Sequence, residues 1–269
     1  MHMSHKHAIG APSRLLVVKY GGSAMAETGP DPVLTETAGL WKAGNRVVVV
    51  HGGGPDIDRS LSGRGIPTVR IDGLRVTDAA TLQVTEAVLC GTVNKRIVRA
   101  LAALGVAAAG VSGQDGGTLI AQRERADLGY VGRVTQVDVR LVCALLDAGF
   151  LPVVAPLAVA ADAAHALNVN ADLSAAALAA ALRADAFVAV TDVARVYRDR
   201  RDPASGIARM SLAEARAFAD AEACHGSMKP KLRGCVEAVG GGARAAYVCR
   251  AAHDGIARAL AGDATVIAG

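Results

Sequence analysis

The sequence predicts an α/β fold in which helices cover both faces of a mostly parallel sheet. Short runs rich in β-branched residues alternate along the chain with longer segments of helical periodicity, which is the pattern of strands joined by crossover helices. Uninterrupted apolar runs, such as VVVV at 47–50, are typical of strands buried on both faces. The chain also has 30 glycines against 9 prolines, which indicates many tight turns between regular elements.

The predicted elements alternate along most of the chain. Strands are predicted at residues 15–19, 46–51, 106–112, 151–154, 186–191, 244–249 and 265–268. Helices are predicted at residues 32–42, 79–104, 139–148, 171–182, 211–219 and 228–239. The segment 118–137 has alternating residues with turn signals at Gly129 and Gly132, which predicts a β-hairpin. The chain is predicted to divide near 183–186, giving a flexible tail (1–14) and two lobes (15–184 and 185–269).

Length and composition exclude several classes of protein. A chain of 269 residues with 52% hydrophobic and 20% charged residues can bury a large core and is not disordered. Its apolar runs are interrupted well short of the roughly 20 residues that span a bilayer, and its start lacks the apolar segment of a secretory signal. We therefore expect no membrane association and a cytoplasmic location.

Charge and cysteine content exclude two further kinds of site. The net charge is only +4 and aromatic residues make up 3% of the chain, which argues against binding of nucleic acid. The five cysteines form no CxxC pair, so neither a disulfide framework nor a zinc site is predicted. We expect no metal ion bound directly by protein ligands.

Two predicted strands run directly into glycines, in VVKYGGS and VVVVHGGGP. The carboxyl ends of parallel strands form the ligand edge of such a sheet, and glycine turns there let backbone N–H groups approach an anion. Each segment is therefore a candidate cradle for a phosphate or another oxyanion. A purely structural strand-to-helix turn explains a single such site equally well. Neither segment matches the Walker pattern, and no dinucleotide-binding GxGxxG follows a strand.

Lysines stand at two positions where an anion would be held. Lys19 ends a strand just before Gly21, although a strand-end lysine can also simply reach solvent. Lys229 and Lys231 flank Pro230 at the predicted start of a helix, where the dipole disfavours a cation unless an anion is also bound. This local mismatch favours a functional lysine in the second segment.

A third segment carries polar residues spaced by two as an extended run enters a helix. Asn168, Asn170 and Asp172 lie in LNVNADL, where Asn170 or Asp172 could simply cap the helix. A carboxylate between two cations could also hold them for a charged transition state. Arg75, in DGLRVT, has a forked guanidinium group that suits a carboxylate. The alternative is that it is merely a solvated turn residue.

Five ordered segments, KYGGSAM, VHGGGPDI, DGLRVT, NVNAD and SMKPK, resemble the amino acid kinase family, and the resemblance covers the chain from residue 15 onward. It implies a three-layer α/β/α sandwich around an open, mainly parallel sheet, the carbamate kinase-like fold. It further implies that lobe 15–184 binds the acyl amino acid and forms the dimer, and that lobe 185–269 binds the nucleotide.

The resemblance also implies a reaction, and it is strongest to the branch of the family that acts on N-acetyl-L-glutamate. MgATP would donate its γ-phosphoryl group to the side-chain carboxylate of that substrate, giving an acyl phosphate and ADP, with Mg²⁺ held mainly by the nucleotide phosphates. Lys19 and Lys231 would stabilise the transferring group, and Asp172 would hold the two lysines in place. Phosphoryl transfer depends on positioning and charge neutralisation, which agrees with these residue types.

The remaining site residues are assigned from the same resemblance. The resemblance implies that phosphate is bound by Gly21 and Gly22. It implies that the acyl amino acid is bound by Gly53, Gly54, Arg75 and Asn168. It implies that ATP is bordered by Asp192, Tyr197 and the stretch 223–225. Two departures from the family pattern lie nearby, since Arg195 and Ser227 stand where relatives usually carry glycine.

Two alternatives remain open at this level. A kinase for carrier-protein-linked aminoadipate or glutamate would share the segments CGTVNKRIV and GCVEAVGGG, although Arg75 and NVNAD favour acetylglutamate. A regulator that binds nucleotide without activity is disfavoured by the presence of Lys19, Asp172 and Lys231.

The resemblance also bears on assembly. Arginine-inhibited relatives carry an N-terminal helix and a C-terminal element that have no clear counterpart in MHMSHKHAIGAPSR or DATVIAG. We therefore expect a homodimer, paired through the helix 79–104, whose activity is insensitive to arginine.

Overall fold

The computed structural model describes residues 13–21, 25, 31–199, 201–221, 224, 226 and 228–269. Its strands are β1 (Leu15–Tyr20), β2 (Arg46–His51), β3 (Arg70–Ile71), β4 (Leu74–Arg75), β5 (Ala108–Ser112), β6 (Leu119–Arg123), β7 (Val131–Val137), β8 (Leu151–Ala155), β9 (Leu157–Ala160), β10 (Ala166–Val169), β11 (Ala186–Thr191), β12 (Val196–Tyr197), β13 (Gly206–Ile207), β14 (Arg209–Ser211), β15 (Ala245–Arg250) and β16 (Thr265–Ala268). Its α-helices are α1 (Pro32–Lys42), α2 (Gly54–Ser62), α3 (Ala79–Glu86), α4 (Asn94–Ala103), α5 (Arg140–Asp147), α6 (Ala171–Ala181), α7 (Leu212–Asp220), α8 (Met228–Gly240) and α9 (Gly255–Leu260).

The central sheet has eight strands in the order β14-β16-β15-β11-β1-β2-β8-β5. Neighbouring strands are parallel except for β15 and β16, so the sheet is mainly parallel, as predicted. Every strand predicted outside the hairpin segment lies in this sheet. Since β11 of the second predicted lobe pairs with β1 of the first, one continuous sheet runs through both.

Alternate residues of the central strands enter two separate cores. In β2, Val47 and Val49 belong to the core on one face, while Val48 and Val50 belong to the core on the other. The period of two residues is that of a strand, and both faces of the sheet are covered. The three-layer α/β/α arrangement follows from this burial.

The predicted β-hairpin at 118–137 is present as the antiparallel pair β6 and β7. Strands β9 and β10, which were absent from the predicted strands, complete a closed four-stranded sheet with them. Gly132 permits this closure, because a Cβ at that position would lie 2.7 Å from Leu167 Cβ. The small sheet places β10 directly before α6, the helix that carries Asp172.

The predicted helices are present, with one difference in the segment 79–104. There α3 and α4 are joined by a π-helical segment, Ala87–Val93, in which the backbone makes a wider turn. Such wide turns often lie at functional sites, and this one packs against the turn Gly52–Gly53–Gly54 that follows β2, here called the glycine turn. The helix α2 was not predicted, because its first residues, Gly54 and Pro55, indicate a turn.

None of the helices within the described residues has the length and apolar character needed to cross a bilayer.

Candidate active site

A cavity of ≈ 210 Å³ lies beside the carboxyl end of β2, between the central sheet and the small four-stranded sheet. Its walls are formed by the glycine turn, the β3–β4 hairpin and the start of α6. They comprise Gly52, Gly53, Gly54, Ile57, Arg70, Gly73, Leu74, Arg75, Leu89, Val131, Pro156, Asn168, Val169, Asn170 and Ala171. The predicted substrate-binding residues Gly53, Gly54, Arg75 and Asn168 are therefore brought together.

Lys19, Asp172 and Lys231 form a buried charged cluster. Lys19 Nζ lies 2.9 Å from Asp172 Oδ1, and Lys231 Nζ lies 3.7 Å from Asp172 Oδ2. Asp172 Oδ1 has no partner at a hydrogen-bonding angle, so its contact with Lys19 is an ion pair. Burial lowers the pKa of Lys231, and the charge of Lys19 lowers it further, while Asp172 and Asp192 act in the opposite direction.

The position of Lys19 follows from the end of β1. Leu16, Val17 and Val18 are buried in the sheet, and Lys19 itself is 4% exposed. A Cβ at position 21 would lie 3.0 Å from Lys19 Nζ, so the glycine leaves room for the ammonium group. Gly22, the other glycine predicted to contact phosphate, lies outside the described residues.

The start of α8 separates the two lysines of its sequence pair. Lys231 is 8% exposed and faces Asp172, whereas Lys229 is half-buried. Gly234, one turn further along, allows α8 to approach α6, because a Cβ there would lie 3.0 Å from Asp172 O. Ser227 and the predicted nucleotide residues 223 and 225 lie outside the described residues.

Asp172 is held at the first turn of α6 by the backbone. Asn170 caps this helix, and its side-chain oxygen accepts from the N–H groups of Asp172 (2.8 Å) and Leu173 (3.3 Å). The two roles considered for this segment are thus divided, since Asn170 is the cap and Asp172 turns its carboxylate to the lysines.

Arg75 is 9% exposed and is oriented by three groups. Its Nη1 donates to Asp58 Oδ1 (2.6 Å) and Thr68 Oγ1 (3.3 Å), and its Nη2 donates to Gly54 O (3.3 Å). Arg70, its partner across the hairpin, also binds Asp58. The guanidinium is thus fixed at the wall of the cavity beside the glycine turn.

Asn168 is connected to the same wall. Its Nδ2 donates to Thr77 Oγ1 (3.1 Å), and that hydroxyl donates to Arg75 O (2.8 Å). Thr77 and Asp58 were not predicted from the sequence, because their roles depend on contacts between distant segments.

The glycine turn itself is supported by two further residues that the sequence analysis did not assign. His51 is fully buried, with Nδ1 2.9 Å from Gly52 O and Nε2 3.2 Å from Asn94 Nδ2. Burial lowers the pKa of His51 from its usual 6.5 to about 4, opposed by the bond to Gly52 and assisted by the charges of Arg96 and Lys95. The sequence feature that could have indicated the role of His51 is its position directly before three glycines.

The predicted nucleotide residues occupy two places. Asp192 follows β11, which pairs with β1, so it lies on the same sheet edge as Lys19, and its Oδ1 accepts from Thr191 Oγ1 (2.8 Å). Tyr197 lies in β12 and pairs with Gly206. Arg195, the departure from the family pattern, forms an ion pair with Asp263 (2.8 Å).

Among the described residues, the acidic side chains form no preassembled metal centre. Within the part of the chain that the structure describes, no group of three or more His, Cys, Asp or Glu side chains is arranged to hold a metal ion. Asp172, the carboxylate nearest the lysines, already contacts both of them.

Comparison with known proteins gives a consistent result. Residues 14–250 match the model of the amino acid kinase family. The chain is 39% identical to the acetylglutamate kinase of Brevibacillus brevis over 251 residues, covering 93% of this chain and 94% of that protein. It is 43% identical to the acetylglutamate kinase of Thermosynechococcus vestitus, covering 87% and 80%. Its fold is similar to that of the carbamate kinase from Giardia lamblia bound to AMP-PNP, with a TM-score of 0.72 at 18% identity and coverage of 96% and 99%.

Proposed function

The chain belongs to the amino acid kinase family, and from that membership we propose that it is an acetylglutamate kinase of arginine biosynthesis. It transfers the γ-phosphoryl group of ATP to the side-chain carboxylate of N-acetyl-L-glutamate, giving N-acetyl-L-glutamyl 5-phosphate and ADP. The observation that carries this proposal is the buried Lys19–Asp172–Lys231 cluster beside a cavity bounded by the glycine turn and Arg75.

The charged cluster is suited to a reaction in which negative charge moves between oxygens. Two buried ammonium groups repel each other, and the Asp172 carboxylate between them offsets that repulsion while no substrate is bound. A transferring phosphoryl group brings further negative charge, which Lys19 and Lys231 neutralise without leaving their positions. Preorganised charge of this kind stabilises a transition state because little reorganisation is needed.

The cavity is suited to the acceptor. Arg75 binds a carboxylate of the acyl amino acid, and its long 3.3 Å contact with Gly54 O can be exchanged for that carboxylate. Asn168 contributes a polar contact from β10, and the backbone N–H groups of Gly53 and Gly54 face the carboxylate that is phosphorylated. The acceptor oxygen is thereby placed between the glycine turn and the lysines.

We assign the nucleotide to the second lobe, residues 185–269, and the acyl amino acid to residues 15–184. Asp192 and Tyr197 border the ATP, and Gly21 contributes a donor to its phosphates. Mg²⁺ is held mainly by the phosphates of ATP, where it screens their charge. The protein acts as a homodimer paired through α3, the π-helical segment and α4, in the cytoplasm, where ATP is available.

An assay with several acceptors tests the proposal. Purified protein with MgATP and N-acetyl-L-glutamate should release ADP and form an acyl phosphate that hydroxylamine traps as a hydroxamate. Free glutamate and free aminoadipate should be poor acceptors under the same conditions. Faster turnover of carrier-linked aminoadipate would replace the proposed substrate, and a rate that no acceptor raises above ATP alone would contradict the kinase assignment.

A further inference from the structure

We propose that His51 and Asn94 are positioning residues that fix the peptide plane between Gly52 and Gly53, and thereby aim the Gly53 N–H at the oxygen that reacts. This inference rests on the proposed function, because it assigns the N–H group a role in that reaction. Neither side chain lines the cavity, so both act through the glycine turn.

The hydrogen bonds around His51 define one neutral tautomer. Gly52 O can only accept, so the proton lies on Nδ1, which donates to it at 2.9 Å. Nε2 then accepts from Asn94 Nδ2 at 3.2 Å. The imidazole therefore connects the turn directly to the start of α4.

The orientation of the Asn94 amide is fixed in the same way. Its Nδ2 lies 2.9 Å from Val153 O and 3.2 Å from Val111 O, both of which can only accept. Because His51 Nε2 is a third acceptor, one of the two amide hydrogens is shared between two acceptors. Its Oδ1 accepts from Lys95 Nζ at 3.1 Å. Gly110 makes room for this side chain in the sheet edge, because a Cβ there would lie 1.9 Å from Asn94 Oδ1.

The planarity of the peptide bond carries the effect of His51 to the other side of the turn. In a trans peptide the C=O of Gly52 and the N–H of Gly53 lie in one plane and point in opposite directions. When His51 Nδ1 holds the carbonyl, the Gly53 N–H points away from the imidazole. A hydrogen bond to the carbonyl also polarises the peptide and strengthens its N–H as a donor.

The turn needs this restraint because glycine, which has no side chain, does little to fix its own backbone dihedral angles. A peptide between two glycines can rotate at little steric cost. Gly52 N is anchored to Tyr20 O (2.9 Å), and Gly53 packs so closely on the π-helical segment that a Cβ would lie 2.7 Å from Leu89 Cδ2. These contacts fix the positions of the Cα atoms, whereas the bond from His51 selects the orientation of the plane between them.

Two amide replacements, each of which reproduces the position of one ring nitrogen of His51, separate positioning from packing. His51→Asn keeps an N–H group attached to Cγ, where it can still donate to Gly52 O, and leaves Asn94 with its two carbonyl acceptors. His51→Gln places its amide one carbon further out, where it can meet Asn94 but not Gly52 O. We expect His51→Asn to keep turnover within about threefold and His51→Gln to lose about 10- to 100-fold, with the KM for both substrates little changed.

The same pair of variants has a readout that does not depend on activity. With ¹⁵N-labelled glycine, the amide resonances of Gly53 and Gly54 should stay near their wild-type positions in His51→Asn and should shift or broaden in His51→Gln. Thermal unfolding of both variants controls for a general loss of packing. Equal loss of turnover in the two variants, or unchanged Gly53 and Gly54 resonances in His51→Gln, would overturn the inference.

The design separates this inference from the proposed function. If acetylglutamate is not the substrate, the wild-type protein itself shows no turnover with it, while the glycine resonances still report on the turn. If the substrate is correct and the inference is wrong, the wild type is active and His51→Gln is as active as His51→Asn.

Discussion

Arg75 and Arg70 allow a matched test at the scale of single residues. They are cross-strand partners on one hairpin and share Asp58, but the Arg75 side chain is 8% exposed and that of Arg70 is 44% exposed. Arg75→Ala should raise the KM for N-acetyl-L-glutamate by about 10- to 100-fold, because a charged hydrogen-bonded contact contributes roughly 1.5 to 3 kcal/mol.

Initial rates with each substrate varied in turn measure this effect. The KM for ATP should change little in Arg75→Ala, and Arg70→Ala should raise the KM for N-acetyl-L-glutamate much less than Arg75→Ala does. Equal increases in both Michaelis constants would contradict the assignment of Arg75 to the acceptor.

The lysines of α8 provide a second matched pair. Lys231→Ala should lower turnover by about 100- to 1000-fold, as expected when one stabilising charge is lost from the transition state. Lys19→Ala should have an effect of the same size, and Asp172→Asn should also lower turnover, since it keeps the shape of the side chain and removes its charge. Lys229→Ala serves as the control, and an inactive Lys229 variant beside an active Lys231 variant would reverse the choice.

His51 predicts a dependence of stability on pH. Its pKa is about 4 in the folded protein against 6.5 ordinarily, so between these values the unfolded chain binds a proton that the folded chain does not. The contribution of the neutral His51 to stability is therefore fully present above about pH 6.5, is lost as the pH decreases, and changes no further below about pH 4.

Urea unfolding of wild type and His51→Asn, at one protein concentration, measures this contribution. Between about pH 7.5 and about pH 5 the wild type should lose about 2 kcal/mol more than the variant, which has no imidazole to titrate at that position. Parallel losses in the two proteins would show that His51 titrates normally in the folded state.

The residues of the site differ in how far their roles could be predicted from the sequence. Lys19, Asp172 and Lys231 stand where strands and helices begin or end, so their positions at one edge could be predicted from the element pattern. Asp58, Thr77 and Asn94 could not be predicted, because their roles arise from side-chain contacts. Asn94, for example, meets His51 across 43 positions of sequence.

At the scale of elements, the packing of α8 on α6 sets the distance between Lys231 and Asp172. Gly234→Ala should push these helices apart, since its Cβ would lie 3.0 Å from Asp172 O, and should cost about 1 to 3 kcal/mol of stability. The turnover of this variant should also fall, because Lys231 moves with α8 away from Asp172. Steady-state rates and thermal unfolding check both effects.

Gly240, on the same helix, supplies the control. A Cβ there would meet Leu212 Cδ2 at 3.8 Å, which is ordinary contact, so Gly240→Ala should leave turnover unchanged. If both variants keep full activity, the close approach at Gly234 does not set the geometry of the cluster.

The bounds of helices and strands were predicted correctly where a single sequence pattern dominated the segment. The strands β2, β11 and β16 have the predicted bounds because each is a continuous apolar or β-branched run. The helix α2 was missed because its glycine and proline signals outweigh the short amphipathic pattern of Ile57 and Leu61. The π-helical segment could not be predicted, since its wide turn is stabilised by packing against Gly53 and leaves no distinct periodicity over so few residues.

At the scale of the whole molecule, we predict a homodimer. The half-buried apolar side chains Val98, Ala100 and Leu104 lie on α4 or directly after it, and β5 is the edge strand of the central sheet. If two subunits paired through α4 and β5, the apolar side chains and the edge of the sheet would both be covered. Light scattering should give a mass near twice 27.3 kDa, independent of arginine, whereas a monomer or a hexamer would contradict the prediction.

The π-helical segment holds about one residue more than the same length of α-helix, because its hydrogen bonds span five residues rather than four. Deletion of one residue from 87–93 would therefore let the segment close into an ordinary α-helix without turning α4 away from the core. Asn94 and Ile97 would stay in the interior, and Lys95 and Arg99 would stay exposed. Only the wide turn that packs on Gly53 would be lost, so the change would disturb the glycine turn and leave the proposed dimer surface on α4 in place.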